Sequence, residues 1–398
     1  MDFDTDILIA GAGPAGLAAA CVLGAEGHRV TLVDPAAPVT GEGAPGADLR
    51  TTALLQPARD LLARAGAWDA LVEGGTPLRT MRIVDASGAK PVTRDFESQD
   101  VSGAPFGWNF PNWLLRHALL ARVEALPAVE TRFGTCLTAL FTREAGARVT
   151  LSDGARLTAR LVLACDGRDS PLRAMAGIGA RRVEYGQTAI VFAVAHDAPH
   201  DDISTEVHLR GGPFTLVPLP DRDGAHRSAV VWMDDTARQT ARMELDEARF
   251  AAEAQARSMG VMGPLRPVTP RAAWPIVSVL AERCTARRLA LVAEAAHAMP
   301  PIGAQGLNTS LRDIACLRDL AATHPVGEAP MLDAYARARR HDVMMRMAGI
   351  DLLNRVSISG LGPVQALRGA GVAALHDIAP LRRAIVRLGL GVSGSEPI

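Results

Sequence analysis

The chain has 398 residues, 48% of them hydrophobic, enough to bury one large core or two smaller ones without a metal or disulfide staple. Its 42 basic and 43 acidic residues are interspersed and leave a net charge of −1, so nothing marks a nucleic-acid partner. Five widely spaced cysteines, an acidic start unlike a signal peptide, and no apolar run long enough to cross a bilayer point to a cytoplasmic protein, at most one lying on the inner face of a membrane.

The first thirty-odd residues carry the strongest local signal. Residues 7–10 read as a buried parallel strand, Gly11-Ala12-Gly13-Pro14-Ala15-Gly16 follows at once, small residues form a helix to about residue 25, and a second strand over 30–33 ends at Asp34. This is a βαβ unit with a dinucleotide fingerprint. Gly11 permits the tight turn, Gly13 lets a pyrophosphate approach the backbone, Ala15 and Gly16 keep the helix close to the strand, and Asp34 can accept from ribose hydroxyls. The fingerprint suits FAD and NAD equally.

Residues 35–47, rich in Pro, Gly and Ala, read as a mobile loop that ends near Arg50. That arginine suits either a bidentate clamp on a pyrophosphate or a solvated surface position. Residues 54–72 have helical spacing, 81–84 begin a strand outside the first sheet, and 114–126 return to helix, with Asn112 and Arg116 at its start. From 136 to 164 the chain alternates as β structure, turning at Ser152-Asp153-Gly154, and runs into a strand that ends at Asp166-Gly167.

After Gly179 the texture changes to short strands over 189–195, 205–209, 214–219 and 228–233, an antiparallel or mixed sheet that reads as a second domain closed by a helix over about 245–259. His196 and His200 have metal-binding spacing for a helix, but Pro199 breaks that helix and makes them loop residues. A strand over 289–292 then stops at Glu294, Pro300 and Pro301 stiffen a turn, and a loop from Gly303 to Gly306 opens into a helix near Leu307 and Asn308. Strand, acid, rigid turn, loose loop and helix would seat a planar polar cofactor; an ordinary strand-turn-helix connection has the same pattern. His297, just past the strand, reads as a hydrogen-bonded structural residue rather than a base. The tail from Asn354 onward sets Arg355, Arg368, Arg382, Arg383 and Arg387 among apolar residues, which suits a membrane surface or a protein partner as well as it suits a helical cover on the first domain.

Three of these features, the Gly11 to Gly16 fingerprint, Asp166-Gly167 after a strand, and Glu294 with its Pro/Gly loop, stand in an order that resembles the FAD-dependent aromatic hydroxylases of the para-hydroxybenzoate hydroxylase type, most closely those of ubiquinone biosynthesis. The resemblance covers nearly the whole chain. It implies an α/β fold: a discontinuous Rossmann-like FAD-binding domain (1–72, 104–179 and 273–340), an inserted mixed β-sheet substrate domain (73–103 and 180–272) and a C-terminal helical segment (341–398). It further implies FAD, with NAD(P)H or another electron donor as reductant and dioxygen as co-substrate. A flavin C(4a)-hydroperoxide would hydroxylate a polyprenylated phenol, with other quinone-biosynthesis proteins as partners. A hydroxylase of a soluble aromatic compound, or a low-turnover FAD-binding scaffold subunit, are the alternatives. By the same resemblance Arg50, Asn112, Arg116, Asp166 and Glu294 are cofactor contacts, Gly303, Gly306, Leu307 and Asn308 neighbour the flavin ring, and the Pro301 carbonyl lies near the transferred hydroxyl. One departure stands out: Ala293-Glu294 occupies a position where the family pattern has Gly-Asp, which requires a local backbone shift.

Overall fold

The computed structural model describes residues 2–86, 91–100, 102–358 and 376–377. Arg368, Arg382, Arg383 and Arg387 of the basic tail lie outside the described residues.

Two large sheets organise the molecule. The first is built on five parallel strands: Leu289–Leu291, Arg156–Ala164, Thr5–Ala10, Val30–Asp34 and Val129–Phe133 lie side by side in that order. The inner strands are apolar and largely buried, as a parallel sheet covered on both faces requires, while Val129–Phe133 at the edge is polar and half-exposed. The hairpin strands Leu137–Arg143 and Gly146–Leu151 join antiparallel beside Arg156–Ala164. Helix Pro14–Ala25 is almost wholly buried, and its run of Gly and Ala lets helices Asn112–Glu124 and Gln305–Ala321 pack against it.

The second sheet has nine strands, among them Thr80–Asp85 and Val92–Glu97 from the early part of the chain, and it is mixed because Ile203–Leu209 pairs in parallel with Thr80–Asp85. Its strands are longer than apolar runs alone suggest: Ala180–His196 covers 17 residues, with an exposed polar first half that pairs with Ala272–Ala281. One face buries Phe192, Phe214, Leu216 and Trp232 against Phe250 of helix Glu247–Arg257. The other carries smaller residues such as Ala189, Ala193 and Ala229. The helix expected over 245–259 is Glu247–Arg257, and a further helix, Thr236–Met243, precedes it; each is capped by an aspartate, Asp246 and Asp235, which accepts backbone N–H groups of the first turn.

Two other expectations need correction. The helical spacing over 54–72 hides a strand, Thr51–Leu55, which pairs with Gly107–Pro111 in a small three-stranded sheet, followed by helices Gln56–Arg64 and Asp69–Val72. Pro57 starts the first of these helices, so the apolar period is shared between a strand and two turns of helix. The loop over 35–47 is also tethered, because Glu42 receives Arg222 at 2.5 Å and Arg227 at 3.5 Å from the second sheet.

A long helix, Ala329–Ile358, follows and runs without a break through residues 340 and 341. Tyr335 on its inner face is buried and donates to the Leu291 carbonyl at 3.0 Å. Replacing Tyr335 with phenylalanine leaves that geometry without its donor and should cost about 1–2 kcal/mol, read as a lower urea midpoint with an unchanged m-value.

Candidate active site

The parallel sheet places four of the expected features together. Asp34, the Gly11 to Gly16 turn, Asp166 and Glu294 follow the carboxyl ends of four neighbouring parallel strands, the position where open α/β sheets bind their ligands. Gly11 has φ of +104°, and a Cβ there would lie 2.3 Å from the Cys165 carbonyl oxygen; one on Gly16 would lie 1.7 Å from the Gly11 oxygen. Gly13, between them, faces open space within 4 Å. Two glycines are therefore filled by protein and the third leaves room at the start of a buried helix, whose first N–H groups have no intrahelical partners. Asp34 accepts from the N–H groups of Ala12 at 2.7 Å and Ala36 at 2.9 Å, which holds the glycine turn against the second strand. Ala15, one residue into the helix, is half-buried against the core.

A second group gathers on Asp48, a buried acid with no distinctive local signal beyond its place two residues before Arg50. Arg50 clamps it through Nε at 2.8 Å and a terminal nitrogen at 2.7 Å, Asn112 donates at 3.0 Å, and Arg116 lies 3.5 Å away. Burial opposes the Asp48 charge, but Arg50 and Asn112 hold its carboxyl below the usual carboxylate range. The Arg50 guanidinium also stacks over the Trp274 ring at 4.1 Å and feels the charge of Glu294. Arg50 thus bridges the two sheets, while Glu294 is met from the other side by Arg168 at 3.2 Å. Arg168 stood in the Asp166-Gly167 segment without being singled out. Asp166 accepts from the Leu172 N–H at 3.0 Å, its other oxygen is buried with no partner, and burial pushes its carboxyl upward.

On the third segment, helix Gln305–Ala321 starts two residues before Leu307, from Ala304 in the left-handed region. Asn308 is turned into the protein: it accepts from Leu55 N–H at 2.9 Å and donates to Ala53 and Ala304 carbonyls, fastening the helix start to the small sheet. Leu307 is half-buried against the core, Pro301 is exposed, Gly303 has φ of +62°, and Gly306 faces open space. His297 is a buried structural residue whose Nε2 lies 2.7 Å from Asp313. His196 is not in a loop: it ends the strand Ala180–His196, buried between Ser228 and the Ala198 carbonyl, while His200 follows in the turn. Among the described residues no cluster has the geometry of a metal site.

Comparison with known proteins adds the deciding observation, since the FAD binding domain family matches residues 4–349. The chain belongs to this family. The flavoprotein is 36% identical to ubiquinone hydroxylase UbiL of Rhodospirillum rubrum over 98% of its own length and 91% of the relative's, and 29% identical to 3-demethoxyubiquinol 3-hydroxylase of Escherichia coli over 98% and 99%. Its fold superposes on p-nitrophenol 4-monooxygenase PnpA from Pseudomonas putida with a TM-score of 0.77, covering 97% of each chain at 19% identity. It is an FAD-dependent monooxygenase of the aromatic hydroxylase group. The residues fit the cofactor: the open face at Gly13 begins a helix, the unpartnered Asp166 oxygen and Glu294 follow adjacent strands, and Gly306 leaves room at the next helix start.

Ala293 sits at φ of +58°, where a Cβ is crowded, and its N–H donates to Asp313 at 3.2 Å. The other Asp313 partners are His297 at 2.7 Å and Arg339 of the long helix at 2.7 Å. Burial alone would raise the Asp313 carboxyl, and His297 and Arg339 hold it below the usual range. Neither Asp313 nor Arg339 is visible as a site residue in the sequence, because they lie 26 positions apart with no motif between them. Asp313→Ala should cost about 3–5 kcal/mol by removing the buried acceptor shared by Ala293, His297 and Arg339, and should loosen FAD retention through the freed Ala293-Glu294 turn; unfolding curves and bound-flavin absorbance test both. Ala293→Gly should instead raise stability by up to about 1 kcal/mol, seen as a higher Tm with FAD binding kept.

Proposed function

We propose that this flavoprotein hydroxylates the ring of a polyprenylated phenol in ubiquinone biosynthesis. The observation that carries the reading is the end-to-end match with an enzyme named ubiquinone hydroxylase, in a chain whose separated Asp34, Gly13, Asp166 and Glu294 converge at one edge of a parallel sheet. When bound, FAD reduced by NAD(P)H supplies dioxygen activation and the transfer of one oxygen atom to an electron-rich ring.

The chain's own residues then have these tasks. The open backbone at Gly13, with Gly11, Ala15 and Gly16 setting the turn, takes the pyrophosphate at a helix start. Asp34 takes the adenosine ribose. Arg50, already held by Asp48 with Asn112 and Arg116, offers a guanidinium toward the pyrophosphate without further ordering cost. Glu294 and Asp166 take hydroxyl groups of the flavin linker, and Arg168, 3.2 Å from Glu294, aims its carboxylate. The helix start at Gly306, Leu307 and Asn308, with Gly303 before it, borders the flavin ring, and the Pro301 carbonyl orients the substrate hydroxyl. The small residues on the facing side of the second sheet, Ala189, Ala193 and Ala229, leave room for a ring and exclude water from it. Residues 1–72, 104–179 and 273–340 form the cofactor domain in this reading, and 73–103 with 180–272 the substrate domain.

The test is aerobic turnover of the purified yellow protein with NAD(P)H and a short-chain prenylphenol. The expected outcome is substrate-stimulated NAD(P)H consumption and a product heavier by one oxygen; consumption without product, or none at all, overturns the reading. Gly13→Leu should fill the open space and yield folded protein without FAD, and full flavin occupancy in that variant would remove the pyrophosphate assignment.

A further inference from the structure

We propose that the outer face of the long helix Ala329–Ile358 docks on an anionic lipid bilayer, an inference that rests on the lipid-tailed substrate proposed above. The inner face of this helix is spoken for: Met331, Leu332, Tyr335, Val343 and Ile350 are buried against the protein. Among the described residues, nothing covers the outer face. Met344, Met345, Leu352 and Leu353 are 49%, 63%, 63% and 55% exposed, and the other exposed large apolar residues among those described are scattered through the chain. Positions 345, 349, 352 and 353 fall on one side at helical spacing, and exposed Ala348 and Gly349 between them add no polar group. Single exposed apolar residues are ordinary; four in ten residues of one helix form a patch that marks an interaction surface.

The charges around the patch say what the partner is. Exposed Arg337, Arg340 and His341 precede it, and Arg355 follows it. Arg181 stands near that second end, where its charge acts on Asp351. The acids on this helix are Asp333, which is exposed, and Asp342 and Asp351, which are occupied: Asp342 by Arg339 and Arg346, Asp351 by Arg355 at 2.8 Å and the Tyr185 hydroxyl at 2.6 Å. An apolar centre with cationic ends is poorly suited to a second copy of itself. Parallel or antiparallel pairing would set cation against cation, whereas an anionic headgroup layer receives both ends and its acyl boundary receives the centre.

The helix also stands where such docking would matter. Arg346 donates to Gln305 at 2.6 Å, at the start of the helix that borders the Gly303 to Gly306 loop, and Asp351 ties the far end to Tyr185 of the second sheet. Its inner face therefore spans the join between the two sheets, so a bilayer against the outer face would lie beside the route by which a phenol head reaches the flavin while its prenyl tail stays in lipid.

The experiment is flotation of the full-length holoenzyme with vesicles of phosphatidylethanolamine and phosphatidylglycerol, against vesicles of phosphatidylcholine alone. The wild type should float with the anionic vesicles and lose most of that binding in high salt. Met345→Glu/Leu352→Glu should lower the bound fraction at least about tenfold, and Arg337→Glu/Arg340→Glu should lower it while leaving the apolar patch intact. Both variants should keep FAD and hydroxylate a short-chain phenol like the wild type. Wild type that stays unbound, variants that float equally well, or light scattering that shows the apolar face holding a dimer would each overturn the docking surface. Turnover of the short-chain phenol separates the two ideas: an active enzyme that does not float sinks only the docking, and a floating protein inactive on any phenol sinks the proposed reaction while the surface stands.

Discussion

A single buried carboxylate, Asp313, ties together the elements around the Ala293-Glu294 turn. It accepts the N–H of Ala293, the ring of His297 and the guanidinium of Arg339, and so connects the turn that carries Glu294, the strand His297–Ala298 of the second sheet, and the long helix. A buried charge is tolerable only when its partners are close and hydrogen-bonded, and here the partners come from three elements that must all be seated first. The left-handed Ala293 follows from this: the strain of a Cβ at positive φ is local, and the hydrogen bond to Asp313 is one of several that resist its relaxation.

The same network continues outward. Arg339 also binds Asp342, Asp342 binds Arg346, and Arg346 reaches Gln305 at the start of the helix beyond the glycine loop. The two ends of the segment from Ala293-Glu294 to Gln305 are thereby referred to one long helix, while Pro301 and Gly303 between them stay at the surface.

On the opposite side Asp48 does comparable work with different parts. It is buried, it gathers Arg50, Asn112 and Arg116, and through Arg50 it presents a cation that stacks on Trp274 and faces Glu294. Through Trp274 the contact reaches the second sheet.

Much of this was legible in the amino-acid order. The glycine spacing, the acid at the end of the second strand, Asp166 and Glu294 could be read locally, because a tight turn, a close backbone approach and a strand-end acid each need particular residue types within a few positions. The α/β class and the later mixed sheet followed from the change in apolar pattern after Gly179. What the order of residues could not reveal are relations between distant positions: that Asp313 answers Arg339 and Ala293, that Arg168 meets Glu294, that Asp48 rather than solvent receives Arg50, and that Thr51–Leu55 is a strand because Gly107–Pro111 lies beside it. Those were decided by tertiary structure, since the energy of a buried charge pair or of a strand depends on what is brought within hydrogen-bonding distance, and periodicity reports only which side of an element is apolar.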